Sequence, residues 1–401
     1  MLQLSFVKFP QNSLILIEGT PASDKFYIIQ TGRVRCHCDV ATPGSQPEFL
    51  GPGDFIGVIS CMSGKSQAKN VTAITEVTLI CVQKSQYPDL IAKNTPVALK
   101  IVKSFARDMR TVNDQLTKIT AAKAAPETPE NIFAIADYYE QAGQNDIAAY
   151  AYYQYLKECP TGANIETVKR RFVGLKARSK AVYYEPTTDP IREYPANTMI
   201  MVDNQHGNDM FIIQQGSVAI TKVVNGNEIV LAVLKKGDMF GEMALLEDKP
   251  RSANAIAKEN CRLMVINRAN FNQMVSTQPQ MISKLTTTFA DRLWGMFRQL
   301  GNTQLTDNRE KMIDMLALQI EKSNVQWIKG SPYSTGYTVM DLFKFCNIPQ
   351  KDQNLAYNQL QSDQLVKIKG TKIDIPDVDE LIKQAAFYRK QLKKRQNAEI
   401  H

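Results

Sequence analysis

Residues 209–220 read DMFIIQQGSVAI and residues 25–36 read KFYIIQTGRVRC, and the likeness between them organises the chain. Each stretch is followed by a second shared one, FLGPGDFIGVIS at 49–60 and VLKKGDMFGEMA at 233–244. Gly32 answers to Gly216 and Gly53 to Gly237, both at a spacing of 184 residues. An unbroken offset between two glycine-anchored segments marks a duplicated unit. Each unit reads as short strands, because β-branched and aromatic runs are broken by a single glycine where a tight connection is needed. A helical stretch closes each unit, near Pro96–Lys118 and Pro279–Leu300.

Between the units the texture changes. Residues 129–160, PENIFAIADYYEQAGQNDIAAYAYYQYLKECP, place small residues at Ala136 and Ala148 with aromatics at Tyr139 and Tyr152. Two helices can approach closely at the alanines, Gly143 breaks them apart and Pro160 stops the second. The pattern resembles one tetratricopeptide repeat. One such repeat cannot bury its own face, so it should pack on a neighbour or on the next helix, around Ile165–Lys180. Its role is that of a spacer, with contact to a protein partner through 127–182 as the alternative. AAKAAPETPE at 121–130 and YEPTTDP at 184–190 read as linkers.

The 401 residues leave room for several domains, and 44% hydrophobic with 22% charged residues describes an ordinary globular protein. No apolar run is long enough to cross a bilayer, so the expected setting is the cytoplasm with no membrane partner. Seven cysteines are scattered without a Cys-x-x-Cys pair. Cys36 and Cys38 flank His37 on a strand, where alternate side chains point to opposite faces, so no metal site is expected. The formal charge of +8 is modest, and part of it lies in a basic run from Arg389 to Arg395 that reads as a solvated helix end. No nucleophile–base pairing and no phosphate loop of the Gly-x-x-x-x-Gly-Lys type is present, so neither an enzyme nor a cofactor is expected.

The chemistry concentrates in residues 240–257, FGEMALLEDKPRSANAIA. Gly241 permits a tight turn at the mouth of a short helix that starts at Glu242. Backbone N–H groups at such a mouth suit an anion, and Arg251 can fold back over it with a planar guanidinium. Ser252 adds a hydroxyl, and Glu242 can accept hydrogen bonds from a ribose. This run resembles the phosphate-binding cassette of the cyclic nucleotide-binding domain, with its Gly-Glu pair and Pro-Arg-Ser-Ala run. The likeness extends over about Tyr194–Leu300, with turns at Gly207, Gly216 and Gly237. It implies a ligand site built from Phe240, Gly241, Glu242, Met243, Ala244, Arg251, Ser252 and Ala253. The ligand implied is a cyclic nucleotide, with cAMP, cGMP and a cyclic dinucleotide all open. In relatives of this family, polar residues of the long helix meet the base. Here Met296 and Phe297 stand at that place.

In the first unit the same offset puts Val58 where the second has Glu242 and Gln67 where it has Arg251. A buried cyclic phosphate would lack its charge partner there, so a structural copy is expected. After the second cassette, Ile282, Leu285, Phe289, Leu293, Met296 and Leu300 form a stripe with spacings of three and four. That suits a short coiled-coil seam, and a homodimer through 281–300 is the expectation.

The last hundred residues carry a cap at Thr338, an NIPQ turn at 347–350 and a second helix from about Lys351. LVKIKGTKIDI at 365–375 alternates as two strands around Lys369 and Gly370. The order of elements is similar to the winged helix-turn-helix of the Crp/Fnr regulators, which implies DNA contact through Gln350, Lys351, Gln353, Asn354 and Lys369. From Leu305 onward fifteen Lys and Arg face twelve Asp and Glu, a thin surplus for a DNA clamp. The sequence thus leads to a multidomain α+β chain. Its parts are a degenerate β-roll with C-terminal helix at 1–118, a helical linker at 127–182, a ligand-binding β-roll with long helix at 190–300 and a winged helix at 305–401. The implied activity is ligand-gated transcription regulation, and the alternative is a nucleotide-responsive scaffold.

Overall fold

The computed structural model describes residues 5–39, 46–120, 128–184, 189–224, 226–323 and 327–399. The linker at 121–130 lies mostly outside these residues, as does the centre of the one at 184–190. The chain packs as two units, one formed by 1–105 with 279–401 and the other by 106–278.

The first roll contains β1 (Ser5–Phe9), β2 (Leu14–Leu16), β3 (Lys25–Thr31), β4 (Val34–His37), β5 (Glu48–Leu50), β6 (Phe55–Ile56), β7 (Asn70–Ala73) and β8 (Val77–Gln83). They form two four-stranded sheets, β1-β8-β3-β6 and β2-β7-β4-β5. A short α1 (Val58–Ser63) follows β6, and α2 (Tyr87–Lys93) and α3 (Thr95–Thr120) follow β8. The helical linker is α4 (Asn131–Gln141), α5 (Asn145–Glu158) and α6 (Ile165–Lys176).

The second roll repeats the scheme with β9 (Ile191–Tyr194), β10 (Met199–Met201), β11 (Asp209–Gln215), β12 (Val218–Val224), β13 (Asn227–Leu234), β14 (Met239–Phe240), α7 (Glu242–Glu247), β15 (Asn254–Ala257) and β16 (Cys261–Asn267). Its sheets, β9-β16-β11-β14 and β10-β15-β12-β13, have the order of the first roll strand for strand. The shared glycine explains part of this fidelity. Gly32 and Gly216 both sit at φ 86°, and a Cβ would lie 2.2 Å from the Glu76 carbonyl oxygen and 2.6 Å from that of Asn260. Only glycine fits either place.

In the second unit, Ala136, Tyr139, Ala148 and Tyr152 are buried together between α4 and α5. Val168, Phe172 and Leu175 of α6 join them, and so do Met199, Val202 and Ile256 of the roll. The hairpin thus covers its face with both neighbours that a lone repeat requires.

After the second roll come α8 (Arg268–Thr277), α9 (Pro279–Asn302) and α10 (Asn308–Ser323). The C-terminal part adds β17 (Tyr333–Thr338), α11 (Val339–Cys346), α12 (Gln350–Gln361), β18 (Lys367–Lys369), β19 (Lys372–Ile375) and α13 (Val378–Glu399), with sheet order β17-β19-β18. Thr338 caps α11 in a reciprocal box with Asp341, the Asp341 N–H donating to the hydroxyl at 3.1 Å.

Two expectations are corrected here. The stripe Ile282, Leu285, Phe289, Leu293 and Leu300 is buried within the single chain, with α9 packed on α1 and α2. Tyr87 and Thr286 share a hydroxyl hydrogen bond of 2.8 Å, and the Trp294 indole donates to the Ser66 carbonyl at 3.1 Å. That face is covered within the chain by the first roll, so it is not the free seam expected for a homodimer through 281–300. The basic C-terminal run is also more than a solvated end. Arg389 pairs with Asp314, and Lys393 bridges to Glu18 at 3.2 Å and Asp39 at 2.7 Å.

Candidate functional site

The second cassette forms where β14 ends. Gly241, at φ 79°, caps α7 and turns the chain so that Glu242 opens the helix, and Asp248 in a left-handed conformation closes it. The loop 249–253 then returns Arg251 over that mouth. Its backbone is fixed by two hydrogen bonds, Arg251 N–H to the Gln205 carbonyl and Asn204 N–H to the Arg251 carbonyl, both 2.9 Å. The Arg251 Nη1 donates to the Gly241 carbonyl at 2.6 Å. Gly207 makes the cradle, for a Cβ there would lie 2.6 Å from Arg251 Nη2. The guanidinium lies 5.9 Å from the centre of Phe211, whose ring stacks on Phe240.

The electrostatics are unusual. Arg251 and Glu242 are 5% and 1% exposed. Arg251 Nε is buried without a hydrogen-bond partner, and among the described residues no carboxylate lies within ion-pair distance of this guanidinium. Burial presses its pKa below the ordinary arginine value, against the opposing pull of Asp209, Tyr150 and Glu242. A buried, hydrogen-bonding cation without a paired anion is costly, and an anionic ligand would relieve the cost.

The expected site residues gather at this one place. Phe240, Met243, Ala244, Ser252 and Ala253 are all buried around the turn, with the Ser252 hydroxyl 3.5 Å from Met243 Sδ. The residues expected to meet the base are Met296 and Phe297. They ride on α9, and the Phe297 ring is taken by Lys69, whose Nζ lies 4.8 Å from its centre. The first roll is thus the one that receives Phe297.

Other contributors come from outside the roll. Tyr150 of α5 donates to the Ile200 carbonyl at 2.9 Å and acts on Arg251 electrostatically. Glu158 holds the loop beside Gly207, accepting from His206 N–H at 3.1 Å and meeting its Nδ1 at 2.6 Å. Arg110 of α3 donates to the Pro250 carbonyl at 3.1 Å, next to Arg251. Nothing local in the sequence marks these three for the site.

The first cassette repeats the frame without the charges. Gly57 at φ 78° caps α1, and Gln67 N–H bonds the Thr20 carbonyl while Gly19 N–H bonds that of Gln67, both 2.9 Å. Val58 and Gln67 are buried in the places of Glu242 and Arg251. On α12, Gln350, Lys351 and Asn354 are exposed, whereas the Gln353 amide donates to the Ile348 carbonyl at 3.2 Å. Lys369 is exposed and pairs with Asp374 at 2.8 Å.

Comparison with known proteins agrees with this geometry. The model of the cyclic nucleotide-binding domain matches residues 6–94 and again 191–278. The cAMP-activated global transcriptional regulator CRP of Salmonella typhimurium is 30% identical over 135 residues, which cover 31% of this chain. The chain spans 64% of that relative's length. Human cGMP-dependent protein kinase 2 is 29% identical over 151 residues, 36% of this chain and 19% of the kinase. Among solved structures, the c-di-GMP responsive regulator CLP of Xanthomonas campestris covers 46% of this chain and 92% of its own at 18% identity and a TM-score of 0.40. No helix among the described residues is long and apolar enough to cross a membrane. Residues 6–94 and 191–278 are thus each similar to the cyclic nucleotide-binding domain, and the chain is similar to regulators of the CRP kind.

Proposed function

We propose that this protein is a cyclic-nucleotide-responsive transcription regulator of the cytoplasm, with its ligand held at the second cassette. The observation that carries the reading is Arg251, a buried arginine with no carboxylate in ion-pair distance among the described residues, set beside Glu242 at a helix mouth. Glu242 accepts from the sugar, and Arg251 takes the cyclic phosphate with help from Ser252. Phe240, Gly241, Met243, Ala244 and Ala253 shape the wall. The first roll, with Val58 and Gln67, serves as a structural copy. Output passes to the C-terminal part, which we read as a winged helix with α12 offered to DNA through Gln350, Lys351 and Asn354.

Coupling requires that the ligand favour one arrangement of the chain, typically by about 1–3 kcal/mol. Calorimetric titration with cAMP, cGMP and cyclic dinucleotides tests the site. Saturable binding is expected, about 10- to 100-fold weaker in Arg251→Gln, and equal affinity for both proteins rejects it. A mobility shift with and without ligand at two salt concentrations tests the output, and ligand-dependent, salt-sensitive shifts are expected.

One observation favours the scaffold alternative for the output module alone. Leu355 of α12 is 62% exposed and Met340 of α11 is 54% exposed, apolar surface better suited to a protein than to phosphates. A shift that charge reversal at Lys351 abolishes is expected under the first reading, and no shift for either protein under the second.

A further inference from the structure

The two rolls end in equivalent edge strands that are treated differently. β9 is the outer strand of its sheet, and the Tyr184 hydroxyl closes it, accepting from Glu193 N–H at 2.8 Å and donating to the Glu193 carbonyl at 2.9 Å. β1 is the outer strand of the matching sheet. Lys8 stands in the place of Glu193, since it faces Thr78 as Glu193 faces Arg262, and positions 78 and 262 keep the offset of 184. The backbone groups that point away from β8 therefore belong to Lys8 and, two residues back, to Phe6. No hydrogen bond from the described residues closes these groups as Tyr184 closes β9. Four of the five residues of β1 are exposed, with Phe6 at 58% and Val7 at 36%. An open edge with apolar side chains is a template for another strand.

We propose that β1 is a self-association edge, which pairs antiparallel with β1 of a second copy of this chain about a two-fold axis at Val7. The register follows from the parity. With Val7 on the axis, Phe6 of one copy lies opposite Lys8 of the other, and the outward N–H and C=O of both residues are satisfied on each side. The same register sets the Phe6 ring beside the Lys8 stem and ammonium, a cation–π pair, and keeps the two lysines off each other. Val7 meets Val7 in the close, non-hydrogen-bonded position. An isologous contact of this kind closes on itself and stops at two copies. The contact also provides a two-fold axis that the covered stripe of α9 does not, and it stands whether or not nucleotide binds. A five-residue edge is short, so association rises with concentration.

Light scattering behind gel filtration, on the full chain over a range of micromolar concentrations, reads the outcome. A mass that climbs from one chain to two is expected, and a single-chain mass throughout overturns the proposal. Lys8→Pro removes an N–H that the β8 ladder does not use, so the sheet should persist while association weakens about tenfold or more. An unchanged dimer in Lys8→Pro overturns it as well. Val7→Cys gives an independent reading: on mild oxidation it should cross-link into a two-chain species under conditions where the wild-type chain, with its seven native cysteines, does not. A dimer that Val7→Cys fails to cross-link is joined elsewhere, and the β1 edge is then excluded.

Discussion

Two arginines in this molecule, Arg298 and Arg251, have opposite surroundings. Arg298 lies among carboxylates, with Asp314 at 3.2 Å and Glu321 at 3.3 Å, and Asp314 also receives Arg389 and the Asn302 amide. Burial alone would lower the Arg298 pKa, but Asp314 and Glu321 outweigh it and hold it above the ordinary value. Arg251 is more deeply buried, yet its pKa is pressed down and among the described residues no carboxylate pairs with it. A structural arginine arrives with its anions, whereas under the proposed function this one takes its anion from the ligand. The first roll sharpens the point. It keeps the same turn and the same two backbone hydrogen bonds, and it puts neutral Gln67 where no external charge is expected.

The largest effect is expected at the paired arginine. Asp314→Ala strands Arg389, leaves Arg298 with Glu321 alone and should cost about 3–5 kcal/mol of stability, read from the urea midpoint. Burial would raise the Asp314 pKa, but Arg298 and Arg389 hold it below the usual carboxylate range. Its contribution is therefore full above the ordinary aspartate value near 4 and is lost as pH falls through the lowered native value. The stabilities of the wild-type chain and Asp314→Asn should therefore differ at neutral pH and converge only at that acidic end.

Arg251→Gln should behave in the opposite way. Ligand affinity falls by about 1.5–3 kcal/mol per charge-assisted bond, while the stability of the ligand-free chain holds or rises because an unmatched buried charge is gone. A drop in stability like that of Asp314→Ala would erase the distinction between the two sites. Gly207→Ala comes next. Its methyl would meet Arg251 Nη2 at 2.6 Å, so the guanidinium must move, and about 1–3 kcal/mol of strain should appear as weaker binding in a calorimetric titration. The smallest change is expected from Tyr150→Phe, which loses the bond to the Ile200 carbonyl and about 0.5–1.5 kcal/mol of stability in thermal unfolding.

Much of this was legible in the sequence, for reasons that can be named. The glycine spacing revealed the duplication because Gly32 and Gly216 each meet a carbonyl oxygen that forbids any side chain. The cassette was legible because its chemistry is local, from Phe240 to Ala253. Thr338 was legible because a cap acts within three residues. The destination of α9 was not, since periodicity says which face is buried and nothing about what covers it. That is how Ile282 to Leu300 suggested a seam between copies. Arg110, Tyr150 and Glu158 escaped for a related reason. They reach the site through hydrogen bonds that span 140, 50 and 48 residues, and no spacing rule connects them to it.

The claim at the centre is that Arg251 awaits an external anion. Thermal unfolding of the wild-type chain and Arg251→Gln, each with and without the cyclic nucleotide that binds in titration, addresses it most directly. The expected result is a ligand-induced rise in midpoint for the wild type alone, with the ligand-free variant at least as stable as the ligand-free wild type. An equal rise in both proteins, or a ligand-free variant that melts markedly earlier, would contradict it.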